Sequence, residues 1–161
     1  MAPPTPSGLA TACSGIPVAR VTALVRAAGG SGNGLRRSSG GSARLTHCDF
    51  RAPGVNGSLV LDDGRKAVTR YFNRITEAIQ FSSTTPALRP QQVSGVGDAN
   101  TPGLGANWIP AYDELLSVRG SGALFATFYV RGASQAQLKQ GAIALTRLAY
   151  AALGLRRDAG G

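Results

Sequence analysis

Three consecutive runs of sequence decide the fold: LLSVR (115–119), ALFATFYVR (123–131) and SQAQLKQGAIALTRLAYAAL (134–153). The first two read as neighbouring strands, and the second carries apolar or aromatic residues on both faces, which is typical of a central strand. Ser134 and Gln137 form a capping box at the start of the third run. That run predicts a helix to about Leu153, with a buried side made of Leu138, Ala142, Leu145, Leu148, Ala149 and Ala152.

The preceding sequence has a similar order of helices and strands. Pro17 opens a helix that ends at Gly29, and its apolar face carries Val18, Val21, Leu24, Val25 and Ala28. Strands are predicted at 43–51, 58–62 and 108–112. A further helix has the apolar stripe Val68, Tyr71, Phe72, Ile75 and Ile79, and Asp62 and Asp63 are predicted to cap its start. Adjacent pairs of strands favour an α+β fold: an antiparallel sheet of about four to five strands, with two to three helices packed on one face.

The chain reads as one domain with short ends. Residues 1–11 are a flexible lead rich in Pro and Thr, residues 12–154 form the single α+β domain, and residues 155–161 are a flexible tail. At 161 residues, the chain is long enough to bury a core without a metal.

The two cysteines indicate the redox state of the cellular compartment. Cys13 and Cys48 are not in a CxxC pair, and the single histidine, His47, leaves too few ligands for a structural zinc site. A disulfide between them is the best remaining use, and it predicts an oxidising compartment. The alternative is a pair of unpaired buried cysteines in a cytosolic protein.

The net charge of +9 comes from 17 basic and 8 acidic residues that are spread along the chain. Because nucleic-acid binders concentrate basic residues and interleave them with aromatic ones, this dispersal disfavours nucleic acid as a partner. Lys66, Arg70 and Arg74 recur every four residues on one face of a predicted helix. They are a possible basic face for weak polyanion binding, and the alternative is an ordinary solvated face.

The sequence contains little catalytic chemistry. His47 and Cys48 are neighbours on a predicted strand, so their side chains point to opposite faces and cannot form a nucleophile–base pair. The pairs Asp62/Asp63 and Asp113/Glu114 could serve a hydrolase of envelope polymers only if the fold gathered two carboxylates in a deep pocket. No glycine-rich nucleotide motif is complete, so no cofactor, metal or catalytic residue is assigned, and a non-enzymatic role is favoured.

The connection from Ser82 to Asn107 is the best candidate for a binding region. It is rich in Ser, Thr, Pro and Gly, and loops of this length in compact domains usually carry function. The residues singled out in and beside it are Gly95, Gly97, Asp98, Asn100 and Trp108. They predict a domain that binds an unidentified ligand or envelope partner, and the domain is expected to be monomeric.

The longest apolar stretches are about ten residues, about half of what a membrane-spanning helix needs. Residues 1–8 have neither a basic region nor an apolar core, so no leader is predicted in this chain. They read as a Pro/Thr linker, or as the start of a chain from which a leader was removed.

Several short motifs occur in a recognisable order: ACSGIP (12–17), CDF (48–50), VSGVGDA (93–99) and Leu148-Ala149 in the final helix. In this order they resemble small actinobacterial secreted proteins and lipoproteins of unknown function. More distantly, they are similar to the extracellular sensor domain of mycobacterial receptor kinases. The resemblance implies a secreted or cell-envelope location, an internal disulfide and no established catalytic residues. That family usually has an aromatic residue shortly after its second cysteine, and Phe50 stands there in this chain.

Overall fold

The computed structural model of the chain describes residues 8–160, which form one seven-stranded antiparallel sheet with four α-helices. The strands are β1 (Arg36–Gly41), β2 (Leu45–Ala52), β3 (Val55–Asp62), β4 (Gln91–Gln92), β5 (Ala106–Ile109), β6 (Glu114–Arg119) and β7 (Gly122–Val130). The helices are α1 (Leu9–Ala12), α2 (Val18–Ala27), α3 (Ala67–Phe81) and α4 (Gln135–Leu153). The strand order across the sheet is β1-β2-β3-β7-β6-β5-β4.

The predicted α+β class, the antiparallel sheet and the disulfide are confirmed. The predicted counts of strands and helices are too low, and the placement of all helices on one face is wrong. Alternate residues of β7 enter two different clusters: Leu124, Ala126 and Phe128 pack with α4, whereas Ala123 and Phe125 pack with α3. Because the central strands are apolar on both faces, each face needs its own helix to exclude water.

Helices α1, α2 and α4 cover the first face of the sheet. The Cys13–Cys48 disulfide joins the turn after α1 to β2, with Cα atoms 5.5 Å apart and a sequence separation of 35. Helix α4 crosses the sheet at Gly141, where an added methyl group would overlap the ring of Phe128. The capping box at Ser134 is present, and α4 ends at Gly154 in the left-handed conformation that favours glycine.

Of the helices within residues 8–160, α3 is the one that packs on the second face, over β5, β6 and β7. Tyr71 is fully buried at the centre of this layer, and the amide Nδ2 of Asn107 donates a hydrogen bond of 3.1 Å to its hydroxyl group. Lys66 occupies the N-cap position of α3 and no side chain caps the helix, so the predicted cap by Asp62 and Asp63 is wrong. The carboxylate of Asp62 instead binds Arg70, one turn into the helix.

The packed structure extends beyond the boundaries placed at residues 12 and 154. Leu9 is fully buried in the first core, and its backbone N–H donates to the Thr46 hydroxyl at 2.9 Å. At the other end, the backbone N–H of Asp158 donates to Asp98 at 2.6 Å, and Arg157 donates to the carbonyl of Gly97 at 2.9 Å. No helix within residues 8–160 is long and apolar enough to cross a bilayer.

Candidate functional site: a groove between helix α3 and the 82–107 connection

Two residues of the predicted binding loop serve the interior of the domain. Trp108 lies in β5 and is almost fully buried in the first core. Asp98 is buried, and its two carboxylate oxygens accept hydrogen bonds of 2.6 Å from the backbone N–H groups of Gly120 and Asp158. The carboxylate therefore joins the loop to the β6–β7 turn and to the C-terminal segment.

The glycines of this loop have packing roles. Gly97 lies so close to the backbone of Gly105 that any side chain would overlap it, and Gly105 has a φ of 63°. Gly95 also has a positive φ, of 78°, and it is exposed. The amide of Asn100 donates a hydrogen bond of 2.9 Å to Asp158. The structure thus places Gly97, Asp98 and Asn100 in contacts within the chain.

Arg119 holds the same region together from the end of β6. Its guanidinium donates to the carbonyls of Val96 at 2.7 Å and Leu155 at 2.8 Å, and it stacks 4.1 Å from the ring centre of Tyr150. The Tyr150 hydroxyl shares a 2.8 Å hydrogen bond with Ser117. Burial lowers the pKa of Arg119 and raises the pKa of Tyr150, as expected for groups held away from water.

The predicted basic face on α3 is largely neutralised. Arg70 pairs with Asp62, whereas Arg74 lies 3.3 Å from Glu114 and stacks on the ring of Tyr112. Burial raises the pKa of Glu114, an effect that Arg74 opposes. Of the three predicted cations, only Lys66 forms no ion pair within the described residues.

The Asp62–Arg70 pair makes the stability of the domain sensitive to acid. The hydrogen bonds from Arg70 hold the pKa of Asp62 below its usual range, so the pair stabilises the fold above a pH of about 4. That contribution is lost as the pH falls through the lowered pKa of the folded state. Because the Arg70 side chain is 51% exposed and solvent screens the pair, we expect Asp62→Asn to lower the free energy of unfolding at pH 7 by only about 1 kcal/mol and to flatten its dependence on pH below about 5.

Urea unfolding followed at several pH values measures this effect, and Asp113→Asn is the matched control. Within the described residues, the Asp113 side chain accepts a hydrogen bond from the exposed amide of Gln135 alone, and Asp113 has a φ of 49°, which Asn tolerates, so its variant should keep the wild-type profile. Equal acid dependence in wild type and Asp62→Asn would contradict the role assigned to the pair.

A groove of about 550 Å³ lies between α3 and the 82–107 connection. One wall is a flank of α3 that carries Phe72, Ile75 and Ile79, at the spacing that brings residues to one side of a helix. The opposite wall includes Pro90, Gln92, Pro102 and Gly103. Ile79 is 53% exposed, and Phe72 and Ile75 are partly exposed, so an apolar stripe remains open along this flank.

Polar groups lie at the edges of the groove. Asn107 reaches it from β5, and its amide is fixed by the buried hydroxyl of Tyr71, whose pKa is raised by burial. Ser83 and Arg89 line it from the connection. Arg89 is exposed and forms no ion pair within residues 8–160, so its guanidinium is available to an anionic group. An apolar body with one polar end fits this arrangement.

The groove was only partly predictable. The sequence predicts a binding region in the 82–107 connection, which forms one wall of the groove. It places the α3 stripe in the core, although the helix has apolar residues over a wider arc than one sheet face can bury. The outlying positions 72, 75 and 79 are the signal that was missed.

A second feature missed in the sequence is the pair His47 and Asp49. Residues i and i+2 of a strand share a face, so β2 places both side chains together, with His47 Nδ1 2.7 Å from Asp49 Oδ2. The carboxylate orients the imidazole ring, as in hydrolytic dyads. However, no hydroxyl group within the described residues hydrogen-bonds the other ring nitrogen.

The carboxylate arrangement required of a hydrolase is not formed by the groups proposed for it. Asp62 is bound to Arg70, Glu114 to Arg74, and Asp113 to Gln135. The grooves characterised on residues 8–160 each hold at most one carboxylate, Asp49 in one and Asp63 in another. Those residues also contain no cluster of three or more side chains able to hold a metal ion.

Comparisons of the chain with protein-family models, with curated proteins and with solved structures found no match.

Proposed function

We propose that the chain is a non-enzymatic binding domain of an oxidising extracytoplasmic compartment, secreted or held at the cell envelope. Its ligand is an amphiphile with an apolar body and an anionic end, and the α3 groove is the binding site. One observation carries the proposal: an open apolar stripe forms a wall of a groove of about 550 Å³, and Arg89, which forms no ion pair within residues 8–160, lies at its edge. This volume lies in the range of small-molecule sites.

The disulfide indicates the cellular compartment in which the protein works. Disulfides between distant residues persist in oxidising compartments and are rare in the cytosol of mesophiles. Both sulfur atoms belong to almost fully buried residues, so the bond is a packed part of the core. A structural role for the bond fits a protein that works outside the cytosol.

The chemistry of the two walls of the groove indicates the class of ligand. Covering half-exposed Ile79 and its neighbours gains about 25 cal/mol for each Å² removed from water, which favours an alkyl or ring-containing body. Arg89 supplies a permanent positive charge with a planar array of donors that matches a carboxylate or phosphate. The fixed amide of Asn107 adds a polar contact beside the apolar wall.

The test is a fluorescence titration with 11-(dansylamino)undecanoic acid, a chain with one carboxylate and one environment-sensitive fluorophore. We expect saturable binding to wild type and about tenfold weaker binding to Ile79→Gln, because the variant removes apolar area that the ligand covers. Arg89→Gln should weaken binding of the acid but leave binding of its neutral primary amide unchanged.

Phe81→Gln is the matched control. Phe81 is on the same last turn of α3 and is 64% exposed, but it faces Tyr112 and does not line the groove. It should bind the probe as wild type does. If Ile79→Gln and Phe81→Gln weaken binding of the probe equally, the binding is a general property of exposed apolar surface and the groove is not the site. Failure of wild type to bind the probe would also reject the amphiphile proposal.

A further inference from the structure

The half of the second sheet face that α3 leaves uncovered carries a distinct surface. Helix α3 packs over β5, β6 and β7 and reaches β3 at its last residue, Asp62, whereas β1, β2 and the rest of β3 have no comparable helix contact on this side within the described residues. The strand register assigns the side chains of this surface, here called the open face: Arg36, Ser38, His47, Asp49, Arg51, Asn56, Ser58, Val60, Thr127 and Tyr129. The open face is separate from the α3 groove, which lies toward the other edge of the sheet.

Two arginines stand directly opposite each other on the open face. Arg36 of β1 and Arg51 of β2 are paired across the strands, both are exposed, and neither forms an ion pair within residues 8–160. Like charges at directly opposed positions of a sheet are unfavourable. An anion bound between the two guanidinium groups would remove that repulsion.

The nearest carboxylate on the open face does not neutralise this pair. Asp49 is two residues before Arg51 on the same strand, but its side chain is only 12% exposed and its carboxylate is bound to His47. A third guanidinium, from Arg131, lies against Gly54 at the same end of the sheet. Three guanidinium groups and one carboxylate therefore lie at this end of the open face, which leaves an excess of positive charge.

The arginine pair continues into a row that crosses four strands. Arg51 is in register with Asn56 of β3, and Asn56 is in register with Tyr129 of β7, whose side chain is 47% exposed. With neighbouring strands about 4.8 Å apart, the row is about 14 Å long. It presents two cations, an amide and a phenol ring on one flat surface, which suits an extended polymer better than a compact small molecule.

We propose that the open face binds an anionic polysaccharide. Arg36 and Arg51 bind its carboxylate, phosphate or sulfate groups, for which guanidinium is a bidentate partner, and a sugar ring packs on Tyr129. Single-stranded nucleic acid is the less suitable polyanion, because it stacks successive bases on several aromatic side chains and Tyr129 is the one aromatic ring that the register places in this row.

The test measures binding of dextran sulfate, with uncharged dextran of the same length as reference. We expect the affinity of wild type for dextran sulfate to fall steeply with salt, and Arg36→Gln/Arg51→Gln to weaken it by about tenfold or more and to reduce the salt slope by about 2. Tyr129→Ser should weaken binding without changing the salt slope. Because it removes a like-charge pair, the double arginine variant should melt no lower than wild type.

The matched control is Arg20→Gln/Arg147→Gln, which removes the same charge from exposed positions of α2 and α4 on the first face. It should lower the affinity less than twofold at physiological salt, where charges distant from the site are screened. Equal losses of affinity for dextran sulfate in the two double variants would show that binding depends on net charge alone and would overturn the proposal. Tighter binding of oligothymidylate than of dextran sulfate at equal charge would also overturn it, as would no binding of dextran sulfate.

Discussion

Removing the Cys13–Cys48 disulfide is expected to lower the free energy of unfolding by about 4 kcal/mol and the melting temperature by about 10 °C. The bond closes a loop of 35 residues that includes β1 and the glycine-rich segment before it, so its loss lets the unfolded chain sample many more conformations. The folded state also loses the covalent link between the first helical turn and β2. The expected effect is a large fraction of the free energy of unfolding of a typical domain, which is about 5–15 kcal/mol.

The measurement is thermal unfolding of wild type with and without reductant, beside the Cys13→Ala/Cys48→Ala variant. Alanine avoids placing new hydroxyl groups at two buried positions. The variant should match reduced wild type and show no further response to reductant. A wild-type protein that melts at the same temperature after both thiols are freed, as verified by alkylation and intact mass, would contradict a stabilising role for the bond.

Gly141→Ala is expected to destabilise the domain by about 2 kcal/mol or more, although alanine is the better helix former by about 1 kcal/mol. Gly141 is in the middle of α4, where the helix rests on the ring of Phe128. A methyl group there would overlap the ring, so either the ring or the helix must move. Both belong to the larger core, which is packed too closely to absorb the shift.

Gln140→Ala is the control for this substitution, since Gln140 is the preceding residue of α4 and is exposed. It should leave the urea midpoint unchanged or raise it slightly. A higher midpoint for Gly141→Ala would mean that helix propensity outweighs packing at this site, and the close contact of α4 with the sheet would be wrong.

The parts of the fold that sequence predicts best are those with long apolar patterns. The strand ending at Val130 and the capped helix after it have patterns that leave few alternatives, and both are present. The disulfide followed from elimination, because two cysteines and one histidine could do little else. The helices on both faces could have been inferred as well, since β7 is apolar on both of its faces.

Elements stabilised by their neighbours were not predictable. Strand β1 reads RRSSGG and has no apolar alternation, so it exists through its pairing with β2. Strand β4 is two glutamines paired with β5. Asp98 looked like a loop carboxylate open to a ligand, yet the chain brings two backbone N–H groups to it from residues 22 and 60 positions away. Contacts between residues so far apart in the sequence leave no local pattern from which they could be predicted.

Contacts between residues distant in sequence also determine the α3 groove and the open face. A charge count treats every arginine alike, but the fold pairs Arg70 with Asp62 and leaves Arg36 beside Arg51. Within the described residues, Arg70 and Arg74 of the predicted basic face are therefore ion-paired, whereas Arg36 and Arg51 are not. The spacing of two residues on a strand does indicate in the sequence that His47 and Asp49 share a face. The width of the apolar arc on α3 likewise indicates that part of this helix is left exposed beside the groove.

The most direct test of amphiphile binding in the α3 groove is an NMR titration of uniformly ¹⁵N-labelled protein with decanoate. The expected result is saturable shifts of the backbone amides around Phe72, Ile75, Ile79 and Gln92, while the amides of β1 stay unchanged. Shifts spread evenly over the exposed apolar residues, or centred on another surface, would contradict the claim.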